Sequence, residues 1–508
     1  MYSMQQLNLP SERERVTDML HEAKKMLNIA FEIATTDNLR RVLTTGATVL
    51  HYSGHTEEAC IHFEDGSGAS HELTPPLLGE TCGHPGADGN SRAPDSLRLV
   101  FLCACHSQVA AAAFVKLGVP HVIAVQSSAQ ILDAAAVAFT RHLYLALAAG
   151  HTVKYAFESG QKAVASMPAR LTPQTSGRKE EAKFQLMGSG DPTHGHDVPI
   201  FIDLPDGTVN DTSPTLCPSN LPVLSEHFVG RQTLMHSAVK ELLSARRRYV
   251  CVVGAGGIGK TALGLAVAHY LRLRHAFSEG VHHVDVGGLS SPLQLMYTLA
   301  AAIAHILVAN DERLIREEVL GALAPRRALI VFDRCDDFVD GGCGKELAEF
   351  LQLVLQRAPK VKLLLTSRKA VQLADFSPHI VSCSELSVAE AAALLKQMAP
   401  GTPKQHSETI AELCGCMPLA LRLCGCALGS NRVKASPDDL IRQLQSEKRR
   451  MTSLGELADE AGQSSVDACI MTSYSKMPAH LQLVFLALST FPAHFDDAAA
   501  AALLSGDE

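Results

Sequence analysis

Residues 254–261 read Gly-Ala-Gly-Gly-Ile-Gly-Lys-Thr, an order of residue types that can bind a chain of phosphates. The segment follows the apolar run 249–253, typical of a buried strand, and precedes a helical pattern that opens at Lys260. Glycines let backbone N–H groups turn inward around phosphate oxygens, while Lys260 supplies a positive charge and Thr261 a hydroxyl for Mg²⁺. The glycines concerned are Gly254, Gly256, Gly257 and Gly259. We therefore predict a site for nucleotide phosphates and Mg²⁺.

A carboxylate for the same metal ion is expected from Asp333, which ends the apolar run 327–333. Many buried strands end in aspartate. Here, however, the aspartate follows a phosphate-binding loop by roughly 70 residues, as in enzymes that hold Mg²⁺ this way. The next position is Arg334, and the next carboxylates along the chain are Asp336 and Asp337. Asp333 and Thr261 are therefore our predicted metal ligands.

A second pair of reactive side chains lies in the first third of the chain. His55 follows the strand-like run 47–53, and Cys105 follows the run 97–104. Two parallel strands that end side by side would bring both residues to the carboxyl edge of a sheet, where an imidazole can activate a thiol. Cys103 is a rival nucleophile, but Cys105 lies past the strand end, where the chain is exposed. A purely structural role for the pair stays open at this point.

The apolar patterns alternate between strands and helices, which indicates parallel α/β layers. Strands are predicted at 47–53, 59–64, 97–104, 121–126, 183–188, 249–254, 281–286, 327–333 and 361–367. Helices are predicted at 11–35, 107–118, 128–149 and 151–166. Residues 67–96 are rich in Gly, Pro, Ser and His and indicate a long surface connection, and from about 386 onward the pattern is only helical. His51 and His106 are assigned to local packing or hydrogen bonding.

Composition excludes several classes of protein. A chain of 508 residues is too long for one core, and 46% hydrophobic with 19% charged residues indicates a globular protein. A formal charge of −8 argues against a nucleic-acid or acidic-membrane surface. No apolar run is long enough to cross a bilayer, and the N-terminus lacks a secretory signal, so we expect a cytoplasmic protein whose cysteines are free thiols.

Several ordered segments from residue 228 onward resemble NB-ARC ATPases, the switch modules of apoptosome and plant resistance proteins. Besides the phosphate-binding loop and Asp333, they are FVGR at 228–231, TSR at 366–368, CMPLAL at 416–421 and the stretch 474–495. The resemblance implies that Val229 and Arg231 belong to the adenine site. It further implies that Arg368 reads the γ-phosphate and that Pro418 touches the base. The last stretch resembles the start of the family's winged-helix domain.

One position departs from the NB-ARC pattern. The family often carries a second acidic residue directly after the Mg²⁺-binding aspartate, where it helps to position the attacking water. This chain has Arg334 there. We therefore expect slow ATP hydrolysis, with nucleotide exchange as the main event.

Residues 47–165 resemble a CHAT domain, a relative of the caspase and separase peptidases. The segments that carry the resemblance are HYSGHT at 51–56, LVFLCACHS at 99–107, and the runs 114–126 and 131–157. It implies a caspase-like α/β sandwich in which His55 is the general base and Cys105 the nucleophile, with nearby backbone N–H groups as the oxyanion hole. Thr56 stands where the family usually has glycine, whose small backbone can help to bind the oxyanion.

We expect a caspase-like α/β sandwich, then a P-loop NTPase α/β domain, then a helical and winged-helix region. The boundaries are 1–202 for the CHAT domain, 203–223 for a linker, 224–384 for the nucleotide-binding domain, 385–465 for a helical lid and 466–508 for an incomplete winged-helix domain. The expected function is an ADP/ATP-dependent signalling switch in a cell-death or defence type pathway, which oligomerises on activation and controls a caspase-like cysteine peptidase. A protein substrate or downstream protein is the expected partner. A non-catalytic adaptor and a plain ATPase are the alternatives.

Overall fold

The computed structural model forms two compact units, Met1–Thr215 and Leu216–Glu508. The residues it describes are 9–57, 60–66, 69–85, 91–126, 133–168, 180–188, 195–225, 227–338, 342–429, 436–453, 470–471, 474, 479–491 and 497–505. Both units contain parallel sheets flanked by helices, so the predicted α/β class is confirmed.

The first unit is organised around a four-stranded sheet. The strands of the whole unit, in chain order, are β1 (Leu27–Ile29), β2 (Val49–Ser53), β3 (Thr56–Glu57), β4 (Cys60–Glu64), β5 (Ser70–Leu73), β6 (His84–Pro85), β7 (Ser91–Arg92), β8 (Leu99–Cys103), β9 (His121–Val125), β10 (Phe184–Gly188) and β11 (Val209–Asp211). The main sheet has the order β10-β9-β8-β2, with β2, β8 and β9 parallel and β10 antiparallel. A smaller antiparallel sheet has the order β3-β4-β5.

Helices cover both faces of that main sheet. They are α1 (Leu9–Glu22), α2 (Thr36–Thr44), α3 (Pro75–Cys82), α4 (Gln108–Lys116), α5 (Asp133–Ala148) and α6 (Val153–Ala165). Because successive strand side chains alternate between faces, Leu99 and Phe101 share a core with α5 and α6, whereas Val100 and Leu102 share a core with α3, α4 and the smaller sheet. Strand β8 is buried on both faces, and this central position explains why its sequence is continuously apolar.

Two predictions for the first unit were wrong. The single helix expected at 11–35 ends at Glu22, where Lys24 adopts φ 51° and turns the chain into β1. The supposed surface connection 67–96 contains β5 and α3, whose Leu73 and Leu78 are fully buried. Its many Gly, Pro and Ser residues obscured these short elements, since α3 begins with two prolines that fit only a first helical turn.

The predicted linker 203–223 also packs more closely than expected. Its first part supplies β11, which pairs in parallel with β1, and the Ser213 hydroxyl accepts a hydrogen bond from the Phe31 N–H. Its last part joins the second unit through the buried Cys217 and through Asn220. The Asn220 side-chain amide donates to the His283 carbonyl and accepts from the His283 N–H. Each end of the segment is therefore fixed to its own unit.

The second unit begins with a five-stranded parallel sheet. Its strands are β12 (Tyr249–Val253), β13 (Val281–Asp285), β14 (Leu329–Asp333), β15 (Lys362–Ser367) and β16 (His379–Ser382), in the order β13-β14-β15-β12-β16. The helices around it are α7 (Gln232–Leu243), α8 (Lys260–Leu273), α9 (Pro292–Ala302), α10 (Glu312–Leu323), α11 (Cys335–Phe338) and α12 (Gly344–Arg357). The strands predicted from apolar runs are confirmed to within two residues, whereas the edge strand β16 was not predicted.

Beyond β16 the described residues form only helices, as predicted. They are α13 (Val388–Met398), α14 (Lys404–Leu413), α15 (Pro418–Gly429), α16 (Pro437–Ser453), α17 (Ala479–Leu488) and α18 (Asp497–Ser505). Much of the predicted winged-helix segment, including 475–478 and 492–496, lies outside the described residues. Among the helices described, none combines the length and apolar character required to cross a bilayer.

Candidate functional site: a phosphate-binding loop and a Cys-His pair

The phosphate-binding loop lies between β12 and α8, as the sequence predicts. Gly257 and Gly259 adopt φ 71° and 93°, a backbone conformation that favours glycine. Gly257 also has little room for a side chain, because a Cβ there would lie 3.1 Å from the Leu419 side chain. Ile258, between them, is buried in the core and anchors the loop. The glycines therefore permit both the turn and a close approach by a neighbouring helix.

Asp333 lies beside the loop, at the end of β14. Its Oδ1 accepts a hydrogen bond of 2.8 Å from the Thr261 hydroxyl and a second one from the Thr366 hydroxyl. Burial alone would raise the pKa of Asp333, but the imidazole of His283 and the two hydroxyls outweigh burial and hold the pKa below its usual value. The two predicted metal ligands, Thr261 and Asp333, are thus in direct contact, and the carboxyl is ionised at neutral pH.

Lys260 and Arg368 bring positive charge to the same place. The Lys260 ammonium donates to the carbonyls of Gly254 and Ala255, at 3.0 Å each. Burial lowers the Lys260 pKa, the charge of Asp336 raises it, and the charge of Arg368 lowers it further. Arg368 itself is exposed, and its backbone N–H donates to the Asp336 carboxylate. The positive charges of Lys260 and Arg368 and the negative charge of Asp336 therefore lie near one another at the loop.

Arg231, a predicted nucleotide-binding residue, lies in the interior of the second unit. Only 8% of this residue is exposed, and its guanidinium donates to the carbonyls of Ile258, at 2.6 Å, and Ser384, at 2.9 Å, and contacts the Cys383 sulfur. It thereby ties the phosphate-binding loop to the residues after β16. Val229, two residues earlier, packs against the core beside the same loop.

The helical region contributes Pro418, the first residue of α15. The next residue, Leu419, donates its N–H to the carbonyl of Gly257 at 3.3 Å, and a Cβ on Gly259 would lie 3.8 Å from the Pro418 ring. The Leu419–Gly257 hydrogen bond joins backbone to backbone. Asp333, Arg231 and Pro418, predicted from three separate segments, thus lie against one loop.

The Cys-His pair lies at the carboxyl edge of the first unit's main sheet. Strands β2 and β8 are parallel neighbours in which Ser53 pairs with Cys103, and His55 and Cys105 each follow two residues later. The carbonyl of His55 accepts hydrogen bonds from the Tyr52 hydroxyl, at 3.0 Å, and from the His62 N–H, at 3.1 Å. The sheet therefore brings the two predicted residues to adjacent strand ends and fixes the backbone of His55 through two donors.

The turn around Cys105 has an unusual backbone. His106 adopts φ 58°, a conformation uncommon for residues other than glycine. The fully buried Ser107 then donates its hydroxyl to the Leu102 carbonyl and accepts from the Val125 N–H, which fixes the turn to β9. Cys103 packs against the core shared with α5 and α6, whereas Cys105 is half-buried beyond the strand end.

Comparison with known proteins assigns both units. A family model described as the NB-ARC domain matches residues 231–399, and one described as the CHAT domain matches residues 5–189. The chain combines a CHAT domain with an NB-ARC domain. The CHAT match spans His55 and Cys105, and the NB-ARC match spans the phosphate-binding loop, Asp333 and Arg368.

Individual relatives match just over half of the chain. The regulatory protein AfsR of Streptomyces griseus is 30% identical over 315 residues, which cover 58% of this chain and 30% of AfsR. A putative disease resistance protein of Arabidopsis thaliana is 24% identical over 301 residues, covering 54% of this chain and 33% of that protein. The chain thus spans about a third of the length of these relatives.

The solved structures that match part of this chain include two ATPases of Pyrococcus species. A signal transduction ATPase with numerous domains from Pyrococcus horikoshii is 20% identical, and the match covers 48% of this chain and 36% of that one, with a TM-score of 0.33. A Walker-type ATPase of Pyrococcus abyssi is 16% identical, and the match covers 56% of this chain and 89% of that one, with a TM-score of 0.35.

Arg334 in the NB-ARC domain has a partner that the sequence did not reveal. Its guanidinium donates to both carboxylate oxygens of Asp285, the last residue of β13, and its N–H donates to the Thr366 hydroxyl at 3.0 Å. Gly287 leaves room for this ion pair, because a Cβ there would clash with the guanidinium. The sequence carried one signal for Asp285: this residue ends an apolar strand, β13, just as Asp333 ends β14. The two strands are adjacent and parallel, so their ends lie side by side.

Proposed function

We propose that the NB-ARC domain binds ADP or ATP with Mg²⁺ and acts as a nucleotide-dependent switch. The observation that carries this proposal is the 2.8 Å contact between the Thr261 hydroxyl and the Asp333 carboxylate at the start of α8, beside Lys260. Hydroxyl and carboxylate oxygens suit Mg²⁺, and the adjoining backbone N–H groups and helix N-terminus suit phosphate. Thr261 and Asp333 would hold the ion, which would supply positive charge to the phosphates.

The switch part of the proposal rests on the contact between α15 and the loop. Pro418 and Leu419 lie against Gly257 and Gly259, so a nucleotide bound at the loop would meet both the sheet and the helical region. A ligand that contacts two layers shifts their arrangement by its different affinity for each arrangement. The names of the relatives, a regulatory protein and a disease resistance protein, fit a signalling role.

The ion pair between Arg334 and Asp285 supports slow hydrolysis as part of the same proposal. A guanidinium fixed by both oxygens of a carboxylate cannot accept a proton from water or orient it as a carboxylate would. Nucleotide exchange, followed by oligomerisation, would then be the main event of the cycle.

For the CHAT domain we propose a cysteine peptidase under the control of this switch. His55 would take the proton of the Cys105 thiol, and the thiolate would attack a peptide carbonyl carbon of a protein substrate. Backbone N–H groups of the turn at Cys105 and His106 would stabilise the oxyanion. The adjacent strand ends of β2 and β8 and the fixed turn at Ser107 support the proposal.

The nucleotide site is tested by replacing Lys260 with alanine. The variant loses the ammonium that faces the phosphates, and we expect ADP and ATP to bind at least about 10-fold more weakly in calorimetry. Lys345→Ala is the matched control, because Lys345 is exposed on α12, and it should bind as the wild type does. Equal affinity in all three proteins would refute the site.

The wild type should also release phosphate more slowly than about 1 per second.

A further inference from the structure

The smaller sheet of the CHAT domain carries a group of side chains that neither proposed activity uses. Glu57 of β3 pairs with Cys60 of β4, and His62 of β4 pairs with Glu72 of β5. Directly paired residues of an antiparallel sheet point to the same face. The opposite face carries Ile61, which is buried in the core. The hairpin therefore presents a thiol, an imidazole and carboxylates together on its outer face.

Three of these groups meet at one point. The Nε2 atom of His62 lies 3.8 Å from the Cys60 sulfur and 3.5 Å from a carboxylate oxygen of Glu57. Within the described part of the chain, Glu57, Cys60 and His62 are the only group of three such residues whose donor atoms all lie within 4.8 Å of one another. Cys60 and the His62 side chain are each 6% exposed, whereas the Glu57 side chain is 44% exposed, so the group opens to solvent on the glutamate side.

We propose that Glu57, Cys60 and His62 bind one divalent metal ion of the zinc class. Zinc takes sulfur at about 2.3 Å and nitrogen or oxygen at about 2.0–2.2 Å, so tetrahedral neighbours are separated by roughly 3.4–3.6 Å. All three ligands belong to one short hairpin, and their separations of 3.8 and 3.5 Å need only small side-chain movements. Soft thiolate and imidazole ligands favour zinc over Mg²⁺ or Ca²⁺.

The surroundings of His62 support a metal ligand. Its other ring nitrogen, Nδ1, lies 2.9 Å from the Ser70 hydroxyl on β5. A partner of this kind fixes the ring and its tautomer, which leaves Nε2 available for a metal ion. Three protein ligands leave a fourth position for water or for another ligand.

The site is connected to His55 through the backbone. The His62 N–H donates to the His55 carbonyl, and the Tyr52 hydroxyl lies 3.0 Å from that carbonyl and 2.7 Å from the carbonyl of His62. An ion on the Cys60 and His62 side chains would therefore restrain the segment that carries His55. This consequence concerns the same segment as the proposed peptidase, but metal binding itself does not require peptidase activity.

The test uses the full chain, freed of metal by a chelator and kept reduced, with excess Mg²⁺ to fill oxygen-only sites. Titration with Co²⁺ should give one equivalent of thiolate-to-cobalt absorption, and Zn²⁺ should displace it. Cys60→Ser and His62→Gln should abolish this equivalent, whereas Cys82→Ser, which removes a buried thiol of α3 outside the group, should retain it. Absence of the absorption in the wild type, or its equal loss in Cys82→Ser, would overturn the proposal.

A gentler variant guards against misfolding of the ligand variants. Ser70→Ala removes only the partner of Nδ1 and should weaken Zn²⁺ binding by about 10–100-fold. Ser166→Ala, at the exposed end of α6, is its matched control and should bind Zn²⁺ normally. Zn²⁺ should also slow hydrogen exchange in the segment 49–64 of the wild type and not of Cys60→Ser. Equal affinity of the two serine variants would count against the proposed role of His62.

Discussion

His51 shows, at the scale of one residue, how burial alone can make a fold sensitive to acid. Its ring packs against Phe101 and Tyr144, with centroids 4.7 and 5.7 Å away, and its Nε2 is buried with no hydrogen-bond partner among the described residues. This burial lowers the pKa of His51 to about 4. In the unfolded chain the pKa returns to about 6.5, so the unfolded state binds a proton first.

The sign of the effect follows from that difference. Above about pH 6.5 the ring is neutral in both the folded and the unfolded state. Below that pH the unfolded state binds a proton that the folded state does not bind until about pH 4. The CHAT domain should therefore lose up to about 1.4 kcal/mol of unfolding free energy per pH unit between about pH 6.5 and 4 through this residue. His51→Phe keeps a ring at this position and should flatten this slope, whereas His142→Gln, on the exposed side of α5, should not.

The measurement is urea-dependent pulse proteolysis of the full chain at several pH values, with CHAT-domain peptides counted by mass spectrometry. A slope in His51→Phe as steep as that of the wild type would show that other groups cause the acid sensitivity.

At the level of single residues, the sequence predicted the contacts between motif residues. It missed the contacts that depend on which elements pack against one another. Lys260, Thr261 and Asp333 were identified by type and spacing, and the structure brings them together. The partnership of Arg334 with Asp285 was missed because it depends on which strands are neighbours, which the sequence alone does not state. The buried position of Arg231 depends likewise on the carbonyls after β16.

At the scale of elements, the contact between α15 and the phosphate-binding loop requires a glycine. Gly257→Ala would place a methyl group 3.1 Å from the Leu419 side chain and would force alanine to adopt φ 71°. Backbone strain of this kind costs about 1–3 kcal/mol. We expect Gly257→Ala to lower the unfolding free energy by that amount and to weaken nucleotide binding at least about 10-fold.

The control for this prediction is Gly321→Ala. Gly321 lies inside α10 with open space around it, so alanine should stabilise the helix by about 0.5–1 kcal/mol and leave nucleotide binding unchanged. Calorimetry and denaturant unfolding of both variants provide the comparison. Wild-type binding by Gly257→Ala would mean that the loop and α15 separate when nucleotide binds.

The elements themselves were predictable where the apolar pattern was strong. Strands such as β8 and β14 are buried on both faces, and continuous apolar runs identified them. The helix expected at 11–35 failed because its periodic pattern continues through Lys24, where only a positive φ ends the helix. Strand β11 was missed because three residues carry little pattern, and their pairing with β1 joins segments far apart in the chain.

At the scale of the whole molecule, the prediction concerns coupling between the two domains. If the NB-ARC domain controls the CHAT domain, nucleotide state and the reactivity of Cys105 must be linked, and the linkage must be reciprocal. Both ends of the segment 203–223 are fixed to their own units, through the pairing of β11 with β1 and through the hydrogen bonds of Asn220 to His283. We expect ATP to expose Cys105 more than ADP does.

The measurement is the alkylation rate of Cys105 in a Cys103→Ser background, with ADP and with ATP, followed by mass spectrometry of its peptide. A coupling free energy of about 1–3 kcal/mol corresponds to a rate ratio of roughly 5–150 when the exposed state is the minor one. Adding Lys260→Ala should remove the difference between the two nucleotides, whereas Lys345→Ala should preserve it. Equal rates for ADP and ATP in protein that binds both would favour a CHAT domain that only recruits partners, since a non-catalytic adaptor has no need to gate its thiol.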